Sequence, residues 1–175
     1  VMCSSITNNL KSIILKKVII VRHAKSSWDD FRMTDFDRPL DQRGLRDAPN
    51  MAKLLKAEGL KPDIIYTSDA NRAQTTANFF ASEFDMEINK KHSLYHGAPD
   101  DYLDVIRMEN DQYQTIALFG HNPGITFLTN LISSGSTDNI PTCGIIIAGY
   151  VGKLWSDCDW SGLKLIKILT PKTNT

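Results

Sequence analysis

From Lys17 onward, short apolar runs alternate with longer stretches in which apolar residues return every three or four positions. The runs at 18–21, 64–67, 115–119 and 145–151 carry almost no polar residue and are partly β-branched, which is the pattern of strands covered on both faces. Between them the period changes to helical. Leu45, Ala48, Met51, Ala52 and Leu55 fall on one face, with Gly59 as a stop just beyond the last turn. Pro49 leaves two starts open for this helix: it kinks one begun at Asp41, or it sits near the start of one begun at Asp47. Ala73, Ala77, Phe80 and Phe84 mark a second helix, and Tyr102, Val105 and Ile106 a shorter third after Pro99. A fourth follows Phe119, with Asn122 suited to the N-cap, Pro123 to the first helical position, and Ile125, Leu128 and Ile132 to the buried stripe. Near the end, 153–155 and 163–169 flank a polar turn containing glycine, which predicts a β-hairpin or edge strands. The alternation predicts an α/β fold: three layers, α/β/α, around a mostly parallel sheet. No repeat or second-domain boundary interrupts it, so 16–175 reads as one domain behind a loose, aperiodic extension at 1–15.

Composition narrows the function. Lys plus Arg and Asp plus Glu are both 20 in 175 residues, so no excess charge draws nucleic acid or an anionic membrane, and any anion must be bound locally. The apolar residues before Lys16 and Lys17 are too few for a membrane span or a signal core. Cys3, Cys143 and Cys158 are odd in number and widely spaced, which argues against disulfides or a thiolate zinc site and for a reducing cytoplasm.

Ligands in open α/β sheets sit beyond the carboxyl ends of the strands. There the chain places Arg22 and His23 after the first run, Ser68, Asp69 and Arg72 after the second, and Gly120, His121 and Asn122 after the run ending at Phe119. A solitary histidine is usually a packed or surface residue, but here two histidines and two arginines from three distant segments converge. Guanidinium forks pair bidentately with phosphate, and the helix starts near Ser68 and Asn122 add backbone N–H donors.

These residues carry a resemblance. Val21-Arg22-His23-Ala24 resembles the Arg-His-Gly motif of the histidine phosphatase, or phosphoglycerate mutase-like, superfamily. The segment from Ser68 to Thr75 is similar to its Ser-Pro-x-x-Arg-Ala-x-Gln-Thr stretch, and Gly120-His121-Asn122-Pro123-Gly124 to the second-histidine motif of its SixA-type phosphohistidine phosphatase branch. Asp37-Arg38-Pro39-Leu40 with Gly44, and Pro141-Thr142-Cys143-Gly144, extend the likeness from Lys17 to Pro171. Ala24 departs from the motif glycine, a harmless change if the backbone keeps negative φ. Asp69 departs from proline, and its carboxylate should point away from a bound phosphate.

The resemblance implies a phosphoglycerate mutase-like fold and a metal-independent phosphatase without cofactor. His23 attacks phosphorus and forms a covalent phosphohistidine that water hydrolyses, while Arg22, Arg72 and His121 stabilise the equatorial oxygens. His23 must then be neutral, its far nitrogen donating to a carbonyl; His121 would serve as the imidazolium, giving a bell-shaped pH profile. Arg38 and Asn122 are candidate substrate-binding residues. Arg38 has two readings, a third phosphate fork or a loop charge paired with Asp35 or Asp41. Lys25, Ser26, Ser27 and Trp28 read as loop surface, and Trp28, Trp155 and Trp160 as packing residues. Mutase-like members carry a glutamate general acid, whereas residues 94–101 contain none, leaving His96 or Asp100 as substitutes. An imidazole leaving group needs little protonation, so the implied substrate is phosphohistidine on a protein. The alternatives are a broad phosphomonoesterase or mutase-like enzyme acting on small phosphate esters, and a phospho-ligand binding module without turnover. His92 and His96 are spaced like a metal pair, but Gly97-Ala98-Pro99 argues for a loop and no further ligand is near.

Overall fold

The computed structural model describes residues 15–171; the extension expected at 1–15 lies outside them except for Leu15. Six strands, β1 (Lys16–Arg22), β2 (Ile64–Thr67), β3 (Asn89–Lys90), β4 (Thr115–Gly120), β5 (Ile145–Tyr150) and β6 (Leu163–Leu169), form one sheet in the order β3-β2-β4-β1-β5-β6. Four helices join them: α1 (Gln42–Ala57), α2 (Asn71–Phe84), α3 (Pro99–Arg107) and α4 (Gly124–Ile132).

The period-two geometry of a strand divides each apolar run between two cores. Val18 and Ile20 of β1, Ile116 and Leu118 of β4, and Ile146 and Ala148 of β5 face α3 and α4, where Tyr102, Ile106, Ile125 and Leu128 are buried. Ile19, Val21, Ala117, Phe119, Ile145 and Ile147 face the other way, against Ala48, Met51, Leu55 and Phe80 of α1 and α2. That is the three-layer arrangement the sequence predicts.

The sheet is mostly parallel, as the sequence predicts: β3, β2, β4 and β1 run parallel, while β5 is antiparallel to β1 and β6 to β5 at the C-terminal edge. An apolar run records burial, not direction. The expected hairpin is only half present, because β6 pairs with β5 while 153–155 forms no strand. Trp155 is instead drawn into the core, its indole N–H donating to the Tyr113 carbonyl at 2.9 Å, and begins a 3-10 turn. In α1 the Asp41 side chain caps the Gly44 N–H at 2.8 Å, which selects the earlier start with Pro49 inside, and Leu45 lies half-exposed instead of on the buried face. Gly59 does end that helix, with φ +73°.

No helix among the described residues is long and apolar enough to cross a membrane.

Candidate active site

β2, β4 and β1 are neighbours and parallel, so their carboxyl ends deliver Ser68, Gly120-His121 and Arg22-His23 to one crevice. The ladder continues past the strand ends, with His23 N–H donating to the Gly120 carbonyl at 3.0 Å and Ser68 N–H to the Phe119 carbonyl at 2.9 Å. Arg72 enters from the first turn of α2. The rings of His23 and His121 lie 5.0 Å apart, and Arg72 Nε is 3.2 Å from His23 Nε2. Three of the four expected residues, His23, Arg72 and His121, are buried there, and Arg22 is half-buried beside them.

His23 makes two hydrogen bonds that together define its state. Nδ1 is 2.8 Å from the Ala24 carbonyl, which can only accept, so Nδ1 carries the proton. Arg72 Nε can only donate, so Nε2 holds the lone pair. Burial, opposed by the Ala24 carbonyl and reinforced by the charges of Arg72, Arg22 and Arg38, lowers the pKa to about 3. The imidazole is therefore neutral at neutral pH. Ala24 is fully buried without a positive φ, so the exchange for glycine costs no strain, and its N–H donates to Thr76 Oγ1 at 2.9 Å.

His121 departs from expectation. Burial, and then the neighbouring His23 and Arg72, push its pKa far below the usual imidazole range, so in the free protein it is neutral too. A bell-shaped profile built on one charged and one neutral histidine does not follow for this state. Ser68 still lets His121 donate. Its Oγ accepts from Ala70 N–H at 3.2 Å and lies 2.8 Å from His121 Nε2; when the hydroxyl donates to Nε2, the proton of the neutral ring sits on Nδ1. That buried Nδ1 has no protein partner. In that tautomer it is an unpaired donor of the kind an oxyanion satisfies. Tyr102 fixes the backbone, its hydroxyl accepting from His121 N–H at 3.1 Å. Gly120 permits this approach, since a Cβ there would lie 2.0 Å from the Tyr102 oxygen.

Arg22 is anchored by Nη1 to the Ile140 carbonyl at 2.6 Å and to Asn139 Oδ1 at 3.2 Å, while its buried Nε has no partner. Asn122 uses the same two acceptors, at 3.2 and 2.8 Å, and takes a hydrogen bond from Thr126 at 3.0 Å. Its Oδ1, the atom a cap would use, accepts from the Thr126 hydroxyl and not from a backbone N–H, and α4 begins at Gly124 with Pro123 in the capping position. Asn122 thus holds the wall of the crevice and presents no free amide to a substrate.

Arg38 is buried and paired with Asp35. Nη1 reaches Asp35 Oδ1 at 3.0 Å, Nη2 reaches Ser26 Oγ at 2.6 Å and Nε reaches the Ser27 carbonyl at 2.9 Å. The exposed Trp28 ring stacks on the guanidinium with its centroid 3.2 Å away, so this stretch is more than loop surface and Trp28 is not a core residue. Asp35, read from the sequence only as one possible partner of Arg38, proves to be a hub of the site. Its Oδ2 also takes Arg72 Nη2 at 2.9 Å and the Tyr95 hydroxyl at 3.0 Å, and Arg72 Nη1 donates to its carbonyl. The sign that pointed to it was its i,i+3 spacing from Arg38. Burial alone would raise the Asp35 pKa, but hydrogen bonds from Arg38, Arg72 and Tyr95 outweigh burial and hold it well below the usual carboxylate range. A depressed folded-state pKa contributes stability above the unfolded value of about 3.9 and loses it as pH falls toward the folded value. In urea unfolding, the stability gap between the protein and Asp35→Asn should stay constant from pH 7 to about 5 and shrink below about 4. A gap independent of pH down to 3 would contradict this role.

Asp69 is occupied elsewhere, its Oδ2 lying 2.8 Å from His92 Nδ1. His92 and His96 therefore face different carboxylates, Asp69 and Asp35, and among the described residues no three His, Cys, Asp or Glu side chains gather as a metal site.

The family model of the histidine phosphatase superfamily (branch 1) matches residues 18–96, which contain His23, Arg38 and Arg72. The chain belongs to the histidine phosphatase superfamily. An uncharacterized chloroplastic protein of Arabidopsis thaliana is 32% identical over 155 residues, which are 82% of this chain and 71% of that one. The crystal structure assigned to the phosphohistidine phosphatase SixA of Agrobacterium tumefaciens superposes with a TM-score of 0.76 at 26% identity, over 89% of this chain and 98% of that one. A SixA structure from Nakamurella multipartitia has the same fold, with a TM-score of 0.79 at 20% identity over 90% and 96% of the two chains. This histidine phosphatase thus shares the SixA architecture, and its chemistry belongs to phosphoryl groups.

Proposed function

We propose that this histidine phosphatase removes phosphoryl groups through a covalent phosphohistidine on His23, without metal or cofactor, and that its substrate is phosphohistidine on a protein. The observation that carries the reading is the pair of hydrogen bonds on His23, Nδ1 to the Ala24 carbonyl and Nε2 to Arg72 Nε. They leave a neutral ring whose lone pair meets the cationic fork that would hold the phosphoryl group. As the P–N bond to the substrate breaks, the P–Nε2 bond forms, and water then attacks phosphorus and returns the electron pair to Nε2. Charge on the equatorial oxygens would fall to Arg72, to the unpaired Nε of Arg22 and to Nδ1 of His121. A leaving imidazole asks for little acid catalysis, which suits the absence of a glutamate from 94–101. The free buried thiols of Cys143 and Cys158 support action in a reducing compartment, which we take to be the cytoplasm.

The test presents the purified protein, in EDTA, with a phosphohistidine-bearing protein, 3-phosphoglycerate and p-nitrophenyl phosphate. Faster release from phosphohistidine is the expected result. A preference for the two esters would replace the reading with a general phosphomonoesterase, and phosphate binding without turnover would replace it with a binding module.

A further inference from the structure

A cluster of exposed apolar side chains stands apart from the reaction at His23. Phe31 is 92% exposed and Trp28 69%, and both ride on the loop that joins the crevice to α1. The loop is braced at its base. Ser26 and Leu40 form an antiparallel bridge, Ser27 N–H donates to the Pro39 carbonyl at 2.9 Å, and Asp41 N–H donates to the Lys25 carbonyl at 3.0 Å. Nearer its tip, Met33 N–H reaches the Asp30 carbonyl at 3.2 Å and Arg32 pairs with Asp30. Single exposed apolar residues are commonplace, but a group of them held beside a cavity marks an interaction surface.

That cavity is an open groove of about 530 Å³ between the loop and the start of α1. Met33, Leu40 and Leu45 give it an apolar lining, and Leu45, which α1 leaves half-exposed, belongs here and not to the core. Asp29, Asp30 and Asp41 add three carboxylates. Arg43, the cation in this lining, is held by Asp47 at 3.3 Å, and Arg32 is held by Asp30, so Asp29 has no ion-pair partner among the described residues. In a chain with no net charge the groove is therefore locally acidic as well as apolar. It also lies apart from the phosphate pocket. From His23 the connection runs through Arg72, Asp35 and Arg38 to the Ser27 carbonyl at the groove's edge. Among the described residues, no side chain of the groove bonds to His23, Arg72 or His121, so a phosphoryl group held there leaves the groove free. A protein bearing that group is large enough to cover both.

Taking phosphohistidine on a protein as the substrate, we propose that this groove, with Phe31 and Trp28 beside it, docks the protein that carries the group, through an apolar segment flanked by lysine or arginine. Phe31, Met33 and Leu45 supply the apolar contacts, on a support already ordered before binding, which lowers the entropy that docking costs. Asp29 and its neighbours choose the sign of the partner and speed its approach.

The experiment uses three probes: a phosphohistidine peptide of about 20 residues, long enough to reach from the crevice to the groove, with leucines flanked by lysines; the same peptide with glutamates for the lysines; and N-acetylphosphohistidine, which cannot reach. The variant is Phe31→Ser with Leu45→Ser, two exposed positions whose loss a thermal melt should not register; Trp28 is kept because it stacks on Arg38. The wild-type protein should prefer the lysine peptide, and the variant should raise its KM about 30-fold while kcat/KM on N-acetylphosphohistidine stays unchanged. Asp29→Lys should narrow the preference for lysine over glutamate, most of all at low salt. An equal loss on peptide and small probe, no loss on either, or no preference between the peptides overturns the proposal while leaving the chemistry at His23 standing. A wild-type dimer in sedimentation that the variant dissociates gives the face to a second copy of the chain and overturns it too. No turnover of any of the three probes overturns the proposed function along with it.

Discussion

His23→Ala is expected to abolish turnover while leaving a folded protein. The imidazole supplies the atom that bonds to phosphorus, and no other histidine in the crevice can take its place. His121 is tied through Nε2 to Ser68, and His96 Nε2 faces Asp35 Oδ2 at 3.3 Å. Loss of a covalent nucleophile costs at least about 10⁴-fold in kcat, because the remaining groups position and stabilise but do not open the two-step route. The fold should survive, because the side chain gives up only two hydrogen bonds and lies at the open end of the sheet, outside both apolar cores. Each such bond is worth about 1 kcal/mol net. Steady-state kinetics with a thermal melt on the same sample check both halves, and wild-type rates from the variant would remove His23 from the mechanism.

Arg72→Ala should have the next largest effect, a loss of about 10²–10³-fold in kcat, equivalent to about 3–4 kcal/mol of transition-state stabilisation for one charged donor removed. Arg72 alone donates both to His23 and to Asp35, so its loss removes the phosphate donor nearest the nucleophile and one of the two arginines on a carboxylate. Arg72→Lys should not restore the rate, since a single ammonium cannot span Nε2 of His23 and the Asp35 carboxylate at once. Arg22→Ala should cost less than Arg72→Ala, because Arg22 Nη1 is already spent on Ile140 and Asn139. The kcat values of the three variants on one substrate rank them. An Arg22→Ala loss exceeding that of Arg72→Ala would place the principal phosphate donor on β1 instead of α2.

The parts of this site legible in the sequence are those fixed by local pattern. Apolar runs locate β1, β2, β4 and β5, and a strand end announces which residue stands over the sheet, so Arg22, His23 and His121 could be read together with Arg72 in the turn beyond. What the pattern hides depends on distant partners. Asp35 lies in a polar loop, and only the fold brings Arg72 to it from 37 residues away and Tyr95 from 60. Asn122 read as a helix cap because its own neighbourhood suits one, yet Thr126 Oγ1 takes its Oδ1, while Asn139 and Ile140 take its Nδ2. The His121 ring read as a cation because its role called for one, whereas burial, with His23 and Arg72 beside it, keeps it neutral, and its Nε2 lies 2.8 Å from Ser68 Oγ. The direction of β5 is equally invisible, since a buried strand looks the same from either end.

The account turns on one covalent bond, and the most direct measurement looks for it. The protein is mixed with substrate, quenched in base during turnover, and its peptides are mapped by mass spectrometry, because phosphohistidine survives alkali and is lost in acid. The expected result is a phosphoryl group on the peptide containing His23, removed by acid and absent from His23→Ala. Continued turnover with His23 unmodified, or with the phosphoryl group found on His121 or His96, would contradict it.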